Sequence, residues 1–477
     1  MSNPISPSDT PHSTAPQERQ FFGQPWGLAN LFGIELWERF SFYGMQSLLA
    51  FYLYYSVAEG GLGMDQAAAL SIVGAYGGFV YMTSLIASFV ADRMLGSERT
   101  LFYSAILVMI GHVALALLPG YAGLSVGLVA IAVGSGGVKT CAQVVLGRLY
   151  NKADPRRDAG FSIFYMAINI GGLLGPLVTG WLWGWQGFHW GFGAAAIGMA
   201  VGLAQYIAMR RTTIGAAGHD VPNPLPRSAY PKWMGGAVVL AIVVVALIAV
   251  VTLLWQMRTS PLTTEVEKSR ILGYIPMLVV GVIFFAIFQS QFTVLAVYAD
   301  QRADLNLFGW QMAPGQVTSF NPVFIILFSP VFAWLWTKLG SRQPSSPMKF
   351  GVASIIIGVS LFFFLPYVGG EANSTPIFVL IWILFLFTMG ELMLSPVGNS
   401  LATKVAPEAF QSRMMAVWML AVSMGTALSG TLGAMYDPTS AAAEYSFFIT
   451  LAIAAIVVGL ALIAVRAWVT RQFVDVK

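Results

Sequence analysis

Twelve stretches of 20 or more mainly apolar residues, separated by short polar connections, constrain this chain more than any other feature. Each is long enough to cross about 30 Å of hydrocarbon as a helix, and too long for the strands of a barrel. The spans run roughly 26–56, 66–92, 100–119, 121–150, 158–181 and 188–210, then 271–299, 315–338, 348–367, 375–403, 411–434 and 444–469. With 57% hydrophobic residues, 10% charged residues and a mean hydropathy of +0.72, the chain reads as an all-α membrane protein in a lipid bilayer. The single Cys141 excludes a disulfide within the chain and any cysteine-rich metal site. The formal charge of +4 does not point to nucleic acid, because the basic residues are dispersed among loops.

The order is six spans, a connection and six spans, giving a tail at 1–25, a bundle at 26–210, a connection at 211–270, a bundle at 271–470 and a tail at 471–477. The first tail is rich in Ser, Pro, Thr and Gln, and a disordered segment is expected there. Lys and Arg concentrate in loops 92–100, 148–158, 338–349 and 404–413, all of which follow even-numbered spans. The positive-inside rule then places these loops and both termini in the cytoplasm, in a plasma (inner) membrane. A further apolar segment at about 233–257 has basic residues on both flanks, Arg227 and Lys232 before it and Arg258, Lys268 and Arg270 after it. Both of its ends therefore face the same side, and about 25 residues are too few for two full crossings, so a short hairpin or a tilted excursion is expected. Two such bundles suggest pseudo-two-fold symmetry, a substrate held near the midplane and access that alternates by rocking.

The first span carries Glu35, Glu38 and Arg39 in an otherwise apolar run. At helical spacing Glu35, Arg39, Phe42, Tyr43 and Gln46 share one face, with Glu38 beside Arg39. A charge at mid-membrane costs roughly 2.5 to 3.5 kcal/mol, so this stripe must face protein or water. Lys139 follows Gly134, Gly136 and Gly137 in the fourth span, glycines that permit close helix approach. Glu391 lies in the tenth span, with Thr388, Ser395 and Asn399 on its face. The interior then holds three negative groups against two positive ones, and one bound proton would balance it. Tyr165 and Asn169 are one turn apart in the fifth span, and Asn321 precedes Pro322 in the eighth. Such amides suit a peptide backbone, and they equally suit bridging helices or the break at a proline. Phe42, Tyr43, Tyr81, Phe285 and Trp418 suggest an aromatic-lined pocket, although membrane aromatics commonly serve packing. The charged loop Asp92 to Arg99 serves either as a lock on one access state or as an orienting positive patch.

The stretch ELWERFSFYG resembles the E-x-x-E-R-F-x-Y-Y signature of the proton-dependent oligopeptide transporters, a branch of the major facilitator superfamily. ADRMLGSERT, GSGGVK, DAGFSIFYMAINIGG, SFNPVFII and GELMLSPVG agree in order along nearly the whole chain. The resemblance implies the major facilitator fold and symport of di- and tripeptides with protons. It implies no enzyme activity, no metal and no cofactor beyond the coupling proton, and a functional monomer is expected. It gives proton coupling to Glu35, Glu38 and Arg39, the substrate carboxylate to Arg39 and Lys139, and the substrate amine to Glu391. Tyr43, Tyr81, Tyr165, Asn169, Asn321, Ser395 and Trp418 would form the pocket, and Lys139, Glu391, Gln46 and Ser290 the gates.

The chain departs from the family pattern at four places. Phe42 replaces the first tyrosine of the signature, and Thr140-Cys141 stand where Pro-Asn is usual. Gln46 and the run Gln289-Ser290-Gln291 are neutral where the family often has a basic and an acidic residue. Three other readings differ in kind. An exchanger of small anions would have no need of Glu391, and a receptor would bind peptide without moving it. A hydrolase needs a nucleophile or a metal, and of the four histidines only His112 is clearly inside a span.

Overall fold

The structure, a computed structural model, describes residues 20–150, 154, 156–221, 224 and 246–474. Lipid offers no partner for a bare peptide group, so the apolar stretches satisfy their backbones internally as helices. The first six are α1 (Gly27–Tyr54), α2 (Gln66–Val90), α3 (Ser97–Leu117), α4 (Gly120–Arg148), α5 (Arg157–Gln186) and α6 (Phe188–Thr213). After α7 (Ala246–Thr259) come α8 (Glu265–Phe288), α9 (Val294–Gln301), α10 (Phe320–Leu339), α11 (Ser346–Leu361), α12 (Ile377–Lys404), α13 (Gln411–Met435), α14 (Ala441–Ala464) and α15 (Arg466–Phe473). Among the described residues eleven helical spans are long and apolar enough to cross a membrane, α8 and α9 counting as one. Helix α1 is 28 residues long and carries the three charges.

In the first bundle α1 packs on α5 and α6, and α4 packs on α2 and α3. In the second, α11 packs on α12 and α14, and α13 packs on α8. The glycines of α4 are needed for this: a methyl at Gly136 would fall 2.3 Å from the Thr83 hydroxyl of α2, and one at Gly134 would fall 2.7 Å from the Ser104 carbonyl of α3.

Among the described residues the bundles meet from mid-depth to one end. Side-chain hydrogen bonds between them include those from Tyr54 and Tyr55 to Asp300, Gln301 to Gln66, Gln316 to Leu177, Ser319 to Leu173 and Ser423 to Gly78. All lie at mid-depth or toward the end opposite the four basic loops. The cores agree with this. Leu48, Phe51, Leu70 and Phe192 belong to one apolar cluster with Tyr274, Leu295 and Trp418, whereas Leu31, Leu101, Val145 and Tyr206 at the basic end form a separate cluster within the first bundle. Among the described residues the basic end is therefore open between the bundles, and the opposite end is closed.

Closure depends on small residues. A methyl on Gly74 of α2 would fall 2.2 Å from the Gly430 backbone nitrogen of α13, with no flexible side chain to give way. Gly74→Val is expected to hold the bundles apart at this end. Cysteine cross-linking across α2 and α13, efficient in the parent and lost in the variant, checks this; unchanged cross-linking would mean the helices slide to accommodate it.

Several expectations need correction. Residues 20–25, expected to be disordered, form a short hairpin in which Gln20–Phe21 pairs with Gln24–Pro25. The Phe21 ring lies 5.5 Å from Phe32, and Tyr150 donates to Gln24 at 3.2 Å, so the start of α1 orders this segment. Within the expected C-terminal tail, Gln472 receives the Ser269 hydroxyl at 2.6 Å, and α15 packs on α8. Of the extra apolar segment, 233–245 lies outside the described residues; 246–259 is α7, which lies against α13 and α8.

Candidate functional site

On α1, i to i+4 geometry puts Glu35 and Arg39 on the same face, and both groups are buried with Glu38. Arg39 Nε lies 3.1 Å from Glu35 Oε1 and 2.7 Å from Glu38 Oε2, so one cation serves two carboxylates. The two are not equivalent. Ser135 of α4 donates to Glu38 Oε1 at 2.7 Å, whereas among the described residues both oxygens of Glu35 are buried without a hydrogen-bond partner. Ser135 was not singled out from the sequence; its only signal is its place among the glycines of α4, one turn before Lys139.

Lys139 projects from α4 with Nζ 3.9 Å from the centre of the Tyr81 ring, a cation–π contact, and lies within electrostatic reach of Arg39, Glu35 and Glu38. The Arg39 guanidinium stands 5.6 Å from the Phe42 ring, so the ring that replaces a tyrosine still meets the cation with its face. Tyr43 stacks on Phe292 of the second bundle, with centroids 6.4 Å apart.

Across the cleft, the Asn321 amide of α10 donates to Thr388 Oγ1 at 2.9 Å and to Glu391 Oε2 at 3.2 Å, both on α12. The sequence placed Thr388 and Glu391 on one face; the crossing of α10 and α12 adds Asn321. Ser395, one turn further, has a buried hydroxyl without a partner. Tyr43, Tyr81 and Tyr165, all of the first bundle, lie within electrostatic reach of Glu391. Tyr165 is 45% exposed, facing open space. In this conformation Lys139 is occupied by Tyr81 and Glu391 by Asn321, and among the described residues no ion pair joins the two.

Other expected site residues sit differently. Trp418 is 1% exposed, donates its indole N–H to Asn399 at 2.8 Å and packs on Phe285 and Phe350. It belongs to the packing of the second bundle and does not line the cleft. Asn169 donates one amide hydrogen to the Tyr165 carbonyl at 3.0 Å, within its own helix. Gln46 and Ser290 are not hydrogen-bonded to each other: Ser290 donates to the Ile287 carbonyl at 2.5 Å, and Gln46 Oε1 is buried without a partner. Of the charged loop before α3, Glu98 pairs with Arg210 at 2.7 Å and His219 at 3.1 Å and accepts from Tyr206, all in the first half of the chain.

The sequence model of the POT family matches residues 98–221 and 237–448, more than half of the chain. The chain belongs to the POT family. This POT-family chain is 40% identical over 464 residues to an uncharacterized transporter of Bacillus subtilis (strain 168), covering 93% of this chain and 94% of that one. It is 36% identical to a di-/tripeptide transporter of Lactococcus lactis subsp. cremoris, covering 96% and 99%. Among solved structures it is similar to a mutant peptide transporter POT in complex with alafosfalin, with 41% identity, a TM-score of 0.90 and coverage of 95% and 97%. It is also similar to a POT family transporter in complex with 5-aminolevulinic acid, with 35% identity and a TM-score of 0.89 over 95% and 98% of the two chains. The fold is that of the major facilitator transporters, and this POT-family chain is an integral membrane transporter, not an enzyme.

Proposed function

We propose that this transporter carries di- and tripeptides into the cell together with protons, by alternating access between its two bundles. One observation carries the reading: cationic groups, Arg39 and Lys139, stand on the first bundle and a carboxylate, Glu391, on the second, with Tyr43 and Tyr81 between them. A short peptide is a zwitterion with its charges separated. Its carboxylate fits the first wall and its amine the second, so the substrate bridges the bundles. The backbone of such a peptide would meet Asn321, Ser395 and Tyr165. Similarity to a di-/tripeptide transporter supports the same substrate class.

Coupling follows from the sharing of Arg39. A substrate carboxylate that draws Arg39 away leaves Glu35 as a carboxylate with no hydrogen-bond donor, and a proton then binds it more readily. By linkage the proton favours substrate in return. The four basic loops lie at the open end, so with the positive-inside rule this conformation faces the cytoplasm, with both termini on that side, and the monomer suffices for the cycle.

Uptake of a labelled dipeptide into proteoliposomes, driven by external acidification, tests the reading; no accumulation, or accumulation of nitrate in place of peptide, overturns it. Glu391→Gln is expected to weaken peptides with a free amine by about tenfold and N-acetylated peptides little, since a hydrogen bond to a charged group contributes roughly 1.5 to 3 kcal/mol. Competition uptake measures the two series. Equal losses would leave Glu391 a structural partner of Asn321 only.

A further inference from the structure

The gate expected at Gln46 and Ser290 has no bond across it, yet the end opposite the basic loops is closed. Among the groups that span the bundles there is a carboxylate. Tyr54 donates its hydroxyl to Asp300 Oδ2 at 2.7 Å, and Tyr55 donates to Oδ1 at 2.5 Å. The tyrosines end α1 of the first bundle, and Asp300 is near the end of α9 in the second. We propose that Asp300, held by Tyr54 and Tyr55, is the latch that closes the transporter at this end and must release each time the cleft opens there. The proposal rests on the alternating-access reading above and adds a gating residue to it.

Three observations make this contact a latch rather than ordinary packing. First, the carboxylate has both oxygens committed to the other bundle, and among the described residues it makes no ion pair. The nearby Arg302 is turned away, donating to the Pro438 carbonyl at 2.6 Å and lying 3.4 Å from Glu444. Hydrogen bonds to an ionised acceptor are roughly twice as strong as neutral ones, so two phenols give a firm closure. Second, Asp300 is half-buried and sits near the surface, so water can take over its hydrogen bonds on opening; a buried ion pair at mid-membrane would have no such substitute. Third, Asp300 rides on a separate short helix. The turn Gln289–Phe292 and Thr293, with φ −124° and ψ −88°, interrupt the span between α8 and α9. The eight residues of α9 can therefore tilt with the latch while α8 keeps its packing on α13. Gln301 beside it donates to Gln66 of α2 at 2.9 Å, a neutral bond that follows the latch.

The test uses spin labels in the full-length protein with Cys141→Ala, at Leu117→Cys in the first bundle and Met435→Cys in the second, both exposed at this end and outside the latch. Without peptide, the parent is expected to show one short distance. Asp300→Ala should add a long-distance component, raising the open fraction roughly tenfold or more, the size expected for losing hydrogen bonds to a charged group. Asp300→Asn keeps an acceptor for one phenol and should fall between. Tyr54→Phe with Tyr55→Phe removes only two oxygen atoms, leaves the rings on Phe51 and Trp183, and should match Asp300→Ala. Unchanged distances in that double variant overturn the latch, whatever Asp300→Ala does to folding. Because the readout needs no peptide, distances that move as expected in a protein that carries no dipeptide would refute the substrate reading and leave the latch standing.

Discussion

Glu35→Gln is expected to abolish accumulation of peptide against a gradient while leaving exchange of labelled for unlabelled peptide across the membrane intact. Glu35 has Arg39 at 3.1 Å and, among the described residues, no other ion-pair or hydrogen-bond partner, and its two oxygens are buried, so it is the carboxylate whose charge is least well held. A glutamine there resembles the protonated acid permanently: the cycle still turns with substrate on both journeys, but no proton is picked up or released. Coupling free energies of about 1 to 3 kcal/mol correspond to 5- to 150-fold, so acid-driven accumulation should fall on the order of 100-fold. Glu38→Gln should behave otherwise. Glu38 makes the shorter contact with Arg39 and receives Ser135, so its loss frees Arg39 and disturbs the α1–α4 contact, and exchange should fall with accumulation. Counterflow and pH-driven uptake in the same liposomes separate the two. If Glu35→Gln still concentrates peptide, the proton is carried elsewhere.

Arg39→Ala is expected to have the largest effect on stability. It leaves two carboxylates, 1% and 0% exposed, without their cation, and removing one partner of a buried pair costs roughly 3 to 5 kcal/mol. The remaining cation within reach, Lys139, is placed against Tyr81 and is one charge against two. Thermal unfolding in detergent should fall by at least about 5 °C, if the variant is recovered at all. Arg39→Lys restores the charge but not the planar guanidinium, and should recover part of the loss. The double variant Arg39→Ala with Glu35→Gln should be more stable than Arg39→Ala alone, because it buries one unmatched negative charge fewer. If the double variant is no better, packing against Phe42 and not charge balance is what Arg39 supplies.

What the sequence alone determined follows from interactions that stay within one helix or depend only on length. The spans, the six-plus-six order, the basic loops gathered at one end, and the triad Glu35, Glu38 and Arg39 were legible because apolar run length and i to i+4 spacing are properties of local sequence. Glu391 with Thr388 was legible for the same reason. Only the tertiary structure decided which groups meet between helices. It gave Ser135 to Glu38 and Asn321 to Glu391, and it kept Glu98 inside the first bundle. It took Trp418 out of the cleft, because a buried indole with a filled N–H looks the same in sequence as one that lines a pocket. It also left Gln46 and Ser290 without a bond to each other and set a contact between the bundles at Tyr54, Tyr55 and Asp300. The helix breaks at Gln289–Phe292, the Ser290 hydroxyl turns back to Ile287, and the contact across the bundles falls ten residues further on, a displacement that no helical period predicts.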